Sequence, residues 1–549
     1  MEVTGMEEYD YRPKPWVPKD VPTIWVDHTT GQGVTQDGAS VRPVIGDRRK
    51  NPNLTDLLDT AASFGANRIM LTGKRPEPEP GVRHWLYVQT PRWKSGTHWI
   101  NNGPPTGRFE HETTGFKIEV RTAEEWFGDI PLSPAQARSA WDTTAAILKA
   151  ADERARMFNS PAATGTNLWA LSLPKNVNPV PVSSDIAEEI HATSGQHHIE
   201  HLVAGPDASA HEDCVPLVDP VKQKKINEFA YVDGRFMYAA LGRELGIGPA
   251  RRLNRAAAYQ LMEEDPYARA RFYVRFQIPT TWNHVGILGV RHQRVEDGWY
   301  YPNRPGARGE TWADAAEIQV ARSAGWVVDP QEAIVFRKAR PLDTFFERIM
   351  RARDRVNEHP DMHPMLRRAV MAALRAIVLH SVGAFASSGR DQTRVATSAL
   401  EVPAQYQARM QRQGKLFVYH VPSERNARTE SFYHPELAAQ VWGRARARVL
   451  DGPSALGLHT AGALAVDPTT LLGIQGDAIY TSTLPGWSLP VANGGGDDGK
   501  TGRLRLQGYL GGGSFLTPER IQQRLSLRSR AEKAGIEAAL ERDEVMAGG

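Results

Sequence analysis

The sequence contains a single cysteine, Cys214. One thiol can form neither an internal disulfide nor a cysteine-based zinc site, and a reducing compartment is the natural setting. The opening stretch MEVTGMEEYDYRPKPW lacks the basic-then-apolar pattern of a secretory signal. No apolar run near 18 residues stands out, so no membrane span is expected and the default location is cytoplasmic. A charge excess is missing as well. A net charge of +3 neither demands nor excludes nucleic acid, because a polyanion needs a basic groove and not a basic average. Arginine is instead concentrated over 338–375 and 443–448, where a solvated helix face is an equally good reading. No internal repeat is found.

What is present is length. A chain of 549 residues can bury a large core without staples and corresponds to roughly three or four domain-sized units. Residues 1–22 carry prolines and charge and read as an extended lead-in. TIWVD (23–27) and NRIMLT (67–72) read as strands around a helix over Leu54–Phe64, capped by Asn53 or Thr55, which makes an α/β region of 23–130. Pro76–Pro80 reads as a turn or linker, and Ser133-Pro134 as the start of a long helix. Alternation over 271–301 suggests an antiparallel sheet. Residues 312–325, 341–388 and 435–450 read as helical, with a break at 357–364 where Pro360 and Pro364 stand. A Gly-rich loop over 494–513 and a charged helix from Pro518 to about Glu544 complete the chain.

Three constellations carry chemistry. In YVDGRFMYAAL (231–241) an apolar strand delivers Asp233, and Tyr238 follows five residues later. A carboxylate fixed on a strand can hold Mg²⁺ against a triphosphate, and a bulky side chain beneath the incoming sugar can exclude a 2′-hydroxyl. Alone, the commoner reading is a strand ending in a capping aspartate. In LLGIQGDAIYTS (471–482) two apolar strands flank a tight turn with Asp477 at its tip. Two-metal phosphoryl transfer needs such a second carboxylate, although an ordinary turn aspartate is the commoner case in isolation. In RRAVMAALRAIVLHSVGAFA (367–386), Arg368 and Arg375 are two helical turns apart and share a face that could grip a triphosphate; a core helix whose arginines reach solvent is the alternative.

The order of these segments resembles motifs A, B and C of family B DNA polymerases. Motif A of that family reads Asp-x-x-Ser-Leu-Tyr-Pro; Asp233, Phe236, Met237, Tyr238 and Ala239 stand at its positions. Motif B reads Lys-x-x-x-Asn-Ser-x-Tyr-Gly; Arg375 and Gly383 keep the cation and the glycine, while Leu379, His380 and Val382 depart from it. Motif C reads Tyr-x-Asp-Thr-Asp-Ser; Asp477 keeps the second aspartate, whereas Gln475 replaces the first. GQHHIEHL (195–202) resembles the template-contact segment before motif A, with Gln196 and His197 as candidate DNA contacts. GKTGRLRLQGYLG (499–511) stands where the family carries a basic strand on the primer-template, with Lys500, Arg503 and Arg505 as candidates. TWADAAEIQVARSAGW (311–326) and FYHPELAAQVWGRARARVL (432–450) resemble the helices before the fingers and before motif C. The resemblance covers about 160–515.

The resemblance implies an α/β and α+β multidomain chain, a right-hand polymerase of palm, fingers and short thumb behind an N-terminal exonuclease-like α/β domain. Its expected divisions are a lead-in (1–22), an exonuclease-like domain without proofreading (23–158), palm with motif A (159–340), a fingers helical hairpin (341–388), palm with motif C (389–490) and a short thumb or tail (491–549). Asp27, in IWVDHTTG, and Asp142 are candidate relics of exonuclease motifs; an unrelated α/β domain is nearly as good a reading. Implied cofactors are two Mg²⁺ ions, held by Asp233 and Asp477. Implied partners are a DNA primer-template and dNTPs. The compact plan is similar to the protein-primed enzymes of phages and linear plasmids, which would add a priming terminal protein. The cluster His197, His198 and His201 lacks zinc spacing and is read as surface or template-contacting. Two functions stay open: template-directed DNA synthesis, in replication of a phage or mobile element, or a polymerase-derived DNA-binding or replication accessory protein that has lost its chemistry.

Overall fold

The computed structural model describes residues 9–17, 20–45, 52–73, 84–86, 90, 92–94, 106–194, 201–202, 211–293, 298–359, 362–387, 392–413, 416–421 and 431–547. The turn expected at Pro76–Pro80 lies outside them. The chain forms two compact units, each discontinuous in sequence. One comprises Pro13–Leu171 and Arg348–Phe432; the other comprises Met1–Arg12, Ser172–Glu347 and Tyr433–Gly549. This division groups the N-terminal α/β region with the helix of motif B, and the segments of motifs A and C with each other.

The first unit is built on a seven-stranded mixed sheet: β1 (Thr23–Asp27), β2 (Gly33–Thr35), β3 (Ser40–Val41), β4 (Arg68–Thr72), β5 (Trp93–Lys94), β6 (Gly107–His111) and β7 (Lys117–Thr122), in the order β3-β2-β1-β4-β7-β6-β5. β1 and β4 pair in parallel and are almost wholly buried, which is why both read as continuous apolar runs. Helix α1 (Leu54–Ser63) starts at Asn53, in a reciprocal cap with Asp56. Helix α2 (Pro134–Ala151) starts at Ser133, capped likewise with Gln136, and its Trp141 meets Trp25 of β1 edge-on at 5.7 Å. In the region of motif B, helices Asp343–Asn357 and Pro364–Ala386 are separated where the prolines stand. The second helix corrects one expectation. A window of 18 residues within it has a mean hydropathy of 1.7, long and apolar enough to cross a membrane by length and composition. Half of that window is buried inside the protein, as in a core helix.

The second unit holds two principal sheets. A four-stranded antiparallel sheet runs in the order Gly246–Leu253, Val327–Lys338, Ala270–Gln277, Arg308–Asp314. The long strand Val327–Lys338 carries Pro330 in its interior, and the register slips there by one residue between Tyr273 and Val274. A proline cannot donate to the ladder, so the bulge is where it can stand. The second sheet positions the site. Its strands are β8 (His201–Leu202), β9 (Phe229–Gly234), β10 (Leu471–Gln475), β11 (Ala478–Thr481) and β12 (Leu504–Leu510), in the order β12-β9-β11-β10-β8. The region read as a loop over 494–513 is thus interrupted by a central strand's partner, β12.

Alternate residues of this sheet enter two different cores. Val232, Ile474, Ile479 and Leu504 face α3 (Ala315–Ser323) and α4 (Pro435–Leu450), joining Ile318, Ala445 and Val449. Phe229, Tyr231 and Tyr480 face α5 (Ile521–Ala547), joining Leu527 and Ala531. Helix α5 lies close because two residues lack side chains. A Cβ on Gly508 would stand 2.2 Å from the Ala531 carbonyl oxygen, and one on Gly535 would stand 2.4 Å from that of Gln507.

Beneath the sheet, α3 and α4 bury charge between them. Asp314 caps α3, with Glu317 accepting from the Asp314 N–H at 3.0 Å. Gly443 of α4 passes so close that a Cβ there would meet Asp314 Cβ at 2.3 Å. Burial pushes the Glu317 carboxyl up to about 8 and that of Asp314 up to about 6, against the pull of Arg271, Arg444 and Arg446. An acid whose pKa is raised in the fold holds its proton more tightly there than in the unfolded chain. Stability therefore falls as pH rises from the unfolded value near 4.5 through 8. The variant Glu317→Gln is expected to flatten this slope, measured as the urea midpoint between pH 5 and pH 8; an unchanged slope counts against the assignment.

Candidate active site

The site is assembled at one end of β9. FAYVDG is buried along its whole length, so Asp233 is delivered by a strand that cannot shift. Its neighbours are Ala478 on β11 and Arg505 on β12. Residues directly opposite in antiparallel strands share a face, so the Arg505 guanidinium is carried on the face of Asp233. Between Tyr231 and Val232 the β12 register slips by one residue at Gln507, a bulge of the kind found beside functional sites.

Asp477 arrives from the other side. Gln475 pairs with Ala478, leaving a two-residue turn of Gly476 and Asp477; Gly476 adopts φ +56°, the left-handed value such a turn favours at its first position. The Gly234 N–H donates to the Asp477 carbonyl at 3.2 Å. A Cβ on Gly234 would meet Met237 at 2.7 Å and Asp477 Oδ2 at 3.0 Å. The glycine after Asp233 is therefore what lets the hairpin tip, with Asp477 on it, settle on the end of β9. Asp233 is 1% exposed, and Asp477 is half-buried.

Carboxylates on neighbouring elements are the ligand type of Mg²⁺, which keeps several waters and takes one or two protein carboxylates plus substrate phosphates. The bare Gly234 backbone, which leaves the Asp477 carboxylate room beside the residue that follows Asp233, supports this fit. Among the described residues no group of three or more His, Cys, Asp or Glu stands together as a metal site.

One strand period below the Asp233 row, about 7 Å along the strands, lies a row of Tyr480, Tyr231 and Gly508. Helix α5 crosses it. The Arg524 guanidinium sits 4.1 Å from the Tyr480 ring centre, and that of Arg528 sits 5.0 Å from that of Tyr231. Gln475 Oε1 accepts from Arg528 Nη1 at 3.1 Å, from Arg524 Nη2 at 3.4 Å and from the Tyr480 hydroxyl at 3.4 Å. Burial works to lower the pKa of Arg528, but Tyr231, Tyr480, Glu532 and Asp233 together hold it above its ordinary value. Neither arginine was singled out from the sequence. The available signal was spacing: 524, 527, 528, 531 and 535 form one helical stripe, and two of its five members are arginine.

The other candidates fall as follows. Tyr238 stands on the short helix Met237–Leu241, after Phe236 in the left-handed region at φ 47°, and packs on the core beneath the sheet. Arg503 is tied bidentately to Asp498 at 3.0 Å and 3.0 Å and donates to the Pro453 carbonyl at 3.0 Å; it also holds the Asp498 carboxyl well below the usual range. Lys500 is exposed, with Asp498 at 3.2 Å. Arg368 and Arg375 are half-buried on Pro364–Ala386, in the other unit. Gln196 and His197 lie outside the described residues. In the first unit Asp27 ends β1 and accepts from the N–H groups of Thr29 at 2.9 Å and Thr30 at 2.7 Å. Asp142 lies exposed on α2, and partial desolvation raises its pKa against the pull of Arg138.

No protein-family model matches the chain. No curated protein matches it. Among solved structures it is similar to Phi29 DNA polymerase in an orthorhombic crystal form, with 9% identity and a TM-score of 0.48, over 88% of this chain and 81% of that one. It is also similar to Phi29 DNA polymerase complexed with primer-template DNA and incoming nucleotides (10%, TM-score 0.48, 90% and 86%) and with single-stranded DNA (9%, TM-score 0.48, 91% and 86%).

The close approach at Gly234 can be tested directly. Gly234→Ala forces Met237 or Asp477 to move, and a loss of about 1–3 kcal/mol is expected in urea titration. Gly486→Ala, whose Cβ would meet nothing within 4 Å, should be close to neutral. Equal effects would show that the approach of the hairpin tip is not tight.

Proposed function

We propose that this chain carries out template-directed DNA synthesis, adding nucleotides to a primer 3′-hydroxyl with Asp233 and Asp477 as the metal-holding carboxylates. The observation that carries the reading is the close approach of the hairpin tip that bears Asp477 to Gly234, the residue after Asp233, at the joined ends of β9 and the β10–β11 hairpin. The order of the three motifs supports it.

In this reading Asp233 and Asp477 hold and orient a pair of divalent cations. When bound, such cations lower the pKa of the attacking hydroxyl and neutralise the leaving pyrophosphate. Arg505 and Lys500 take primer-template phosphates, where their charge acts without reading sequence. Tyr238 lies beneath the sugar of the incoming nucleotide. Arg368 and Arg375 remain candidates for nucleotide phosphates on the strength of their motif alone.

Two observations favour a second reading. Asp233 is 1% exposed and Gln475 replaces a carboxylate, as in a polymerase-derived DNA-binding protein that has given up chemistry. Primer extension in Mg²⁺ separates the two. Wild type is expected to extend, and Asp233→Asn and Asp477→Asn are each expected to lower the rate by about a hundredfold or more while DNA affinity stays within severalfold. Extension by Asp477→Asn at the wild-type rate removes the site assignment. Tight DNA binding without extension by wild type establishes the second reading. Tyr238→Ala is expected to raise ribonucleotide incorporation relative to deoxyribonucleotide; an unchanged ratio takes the sugar-sensing role from this residue.

A further inference from the structure

We infer that Arg528 is a positioning residue of this site: its guanidinium, laid on Tyr231 and donating to Gln475, is a built-in counter-cation that orients Asp233 and the hairpin tip and sets how tightly a divalent cation is held there. The inference rests on the reading of Asp233 and Asp477 as the metal-holding pair and adds a residue from outside the three motifs.

The geometry is specific. Arg528 Nη1 reaches up from α5 to Gln475 Oε1 at 3.1 Å, two residues before Asp477 in the hairpin. Gln475 is in register with Ala478, and Ala478 with Asp233, so the guanidinium is drawn toward the row that carries the carboxylate. The ring of Tyr231, two residues before Asp233 on the same strand face, fixes the guanidinium from below at 5.0 Å. Arg524, one turn earlier, is fully buried on Tyr480 and bonds the same Gln475 oxygen, which anchors the helix. An amide suits position 475. It accepts both guanidinium bonds without neutralising either charge, whereas a carboxylate would pair with Arg528 and withdraw its field from Asp233. A cation held on Tyr231 and Gln475, on the strand face that carries the metal-binding carboxylate, competes with the metal electrostatically, so it weakens divalent binding while it holds the hairpin in place.

The test is titration of the full chain with Mn²⁺, followed by electron paramagnetic resonance, for the site that disappears in Asp233→Asn. Arg528→Gln is expected to tighten this site by about threefold to tenfold, and Arg528→Lys to return it to within about twofold of wild type. Arg524→Gln, which loses an anchor farther from the carboxylate, is expected to lower the melting temperature without the shift in Mn²⁺ affinity. In primer extension, Arg528→Gln should lower kcat while the nucleotide KM stays within about threefold, because positioning and not binding is lost. Unchanged or weaker Mn²⁺ affinity in Arg528→Gln overturns the inference, as does an equal tightening in Arg524→Gln. The titration does not depend on turnover. A wild type that shows the Arg528 effect on Mn²⁺ but extends no primer overturns the polymerase reading and leaves this inference standing. Normal extension with no Arg528 effect on Mn²⁺ does the reverse.

Discussion

Everything at the candidate site depends on one close approach: the hairpin tip resting on the end of β9 at Gly234. The N–H of Gly234 bonds the Asp477 carbonyl, and the missing side chain leaves room for the Asp477 carboxylate. If either strand slipped by one residue, every side chain would change faces. Asp233 would enter the apolar core of α3 and α4, and Val232 would take its place. The two cores on opposite sides of the sheet thus lock the register, and the register locks the aspartates.

The helix on the aspartate side is an unusual element of that lock. Its inward stripe offers two arginines where an apolar pair would be the ordinary solution. Arg524 is fully buried and Arg528 half-buried, and a guanidinium taken out of water needs compensating contacts. Here each has an aromatic face and a shared amide oxygen, and an arginine over an aromatic ring contributes about 0.5–2 kcal/mol. Cationic side chains thereby line the approach to the carboxylate row from two directions, Arg505 from the neighbouring strand and Arg528 from the helix.

Much of this was legible in the sequence, for identifiable reasons. Elements with local signals came through: the cap at Asn53, the Ser133-Pro134 start, the proline break after Asn357 and the tight turn that carries Asp477. What was not legible is what depends on distant partners. The strand Val327–Lys338 hides behind Pro330 and its charges, because the bulge that accommodates them is created by pairing with Ala270–Gln277. The roles of Arg524 and Arg528 hide in a helix that reads as merely charged, because the tyrosines and the glutamine that receive them lie far away in sequence. The apolar length of Pro364–Ala386 is masked in the sequence because Arg375 interrupts the run while hardly lowering its mean hydropathy.

The sheet order also bears on how the chain is made. β9 ends at Gly234, yet both strands that flank it, β11 and β12, begin only at Ala478 and Leu504. During synthesis Phe-Ala-Tyr-Val therefore emerges with both edges bare and waits for most of the remaining chain before it can be paired. Exposed apolar strands of this kind are prone to associate with other chains, and a flanking charge is the usual safeguard. Asp233 is the acidic residue that ends this run, so the carboxylate of the candidate site is also the charge this strand carries while it waits for its partners.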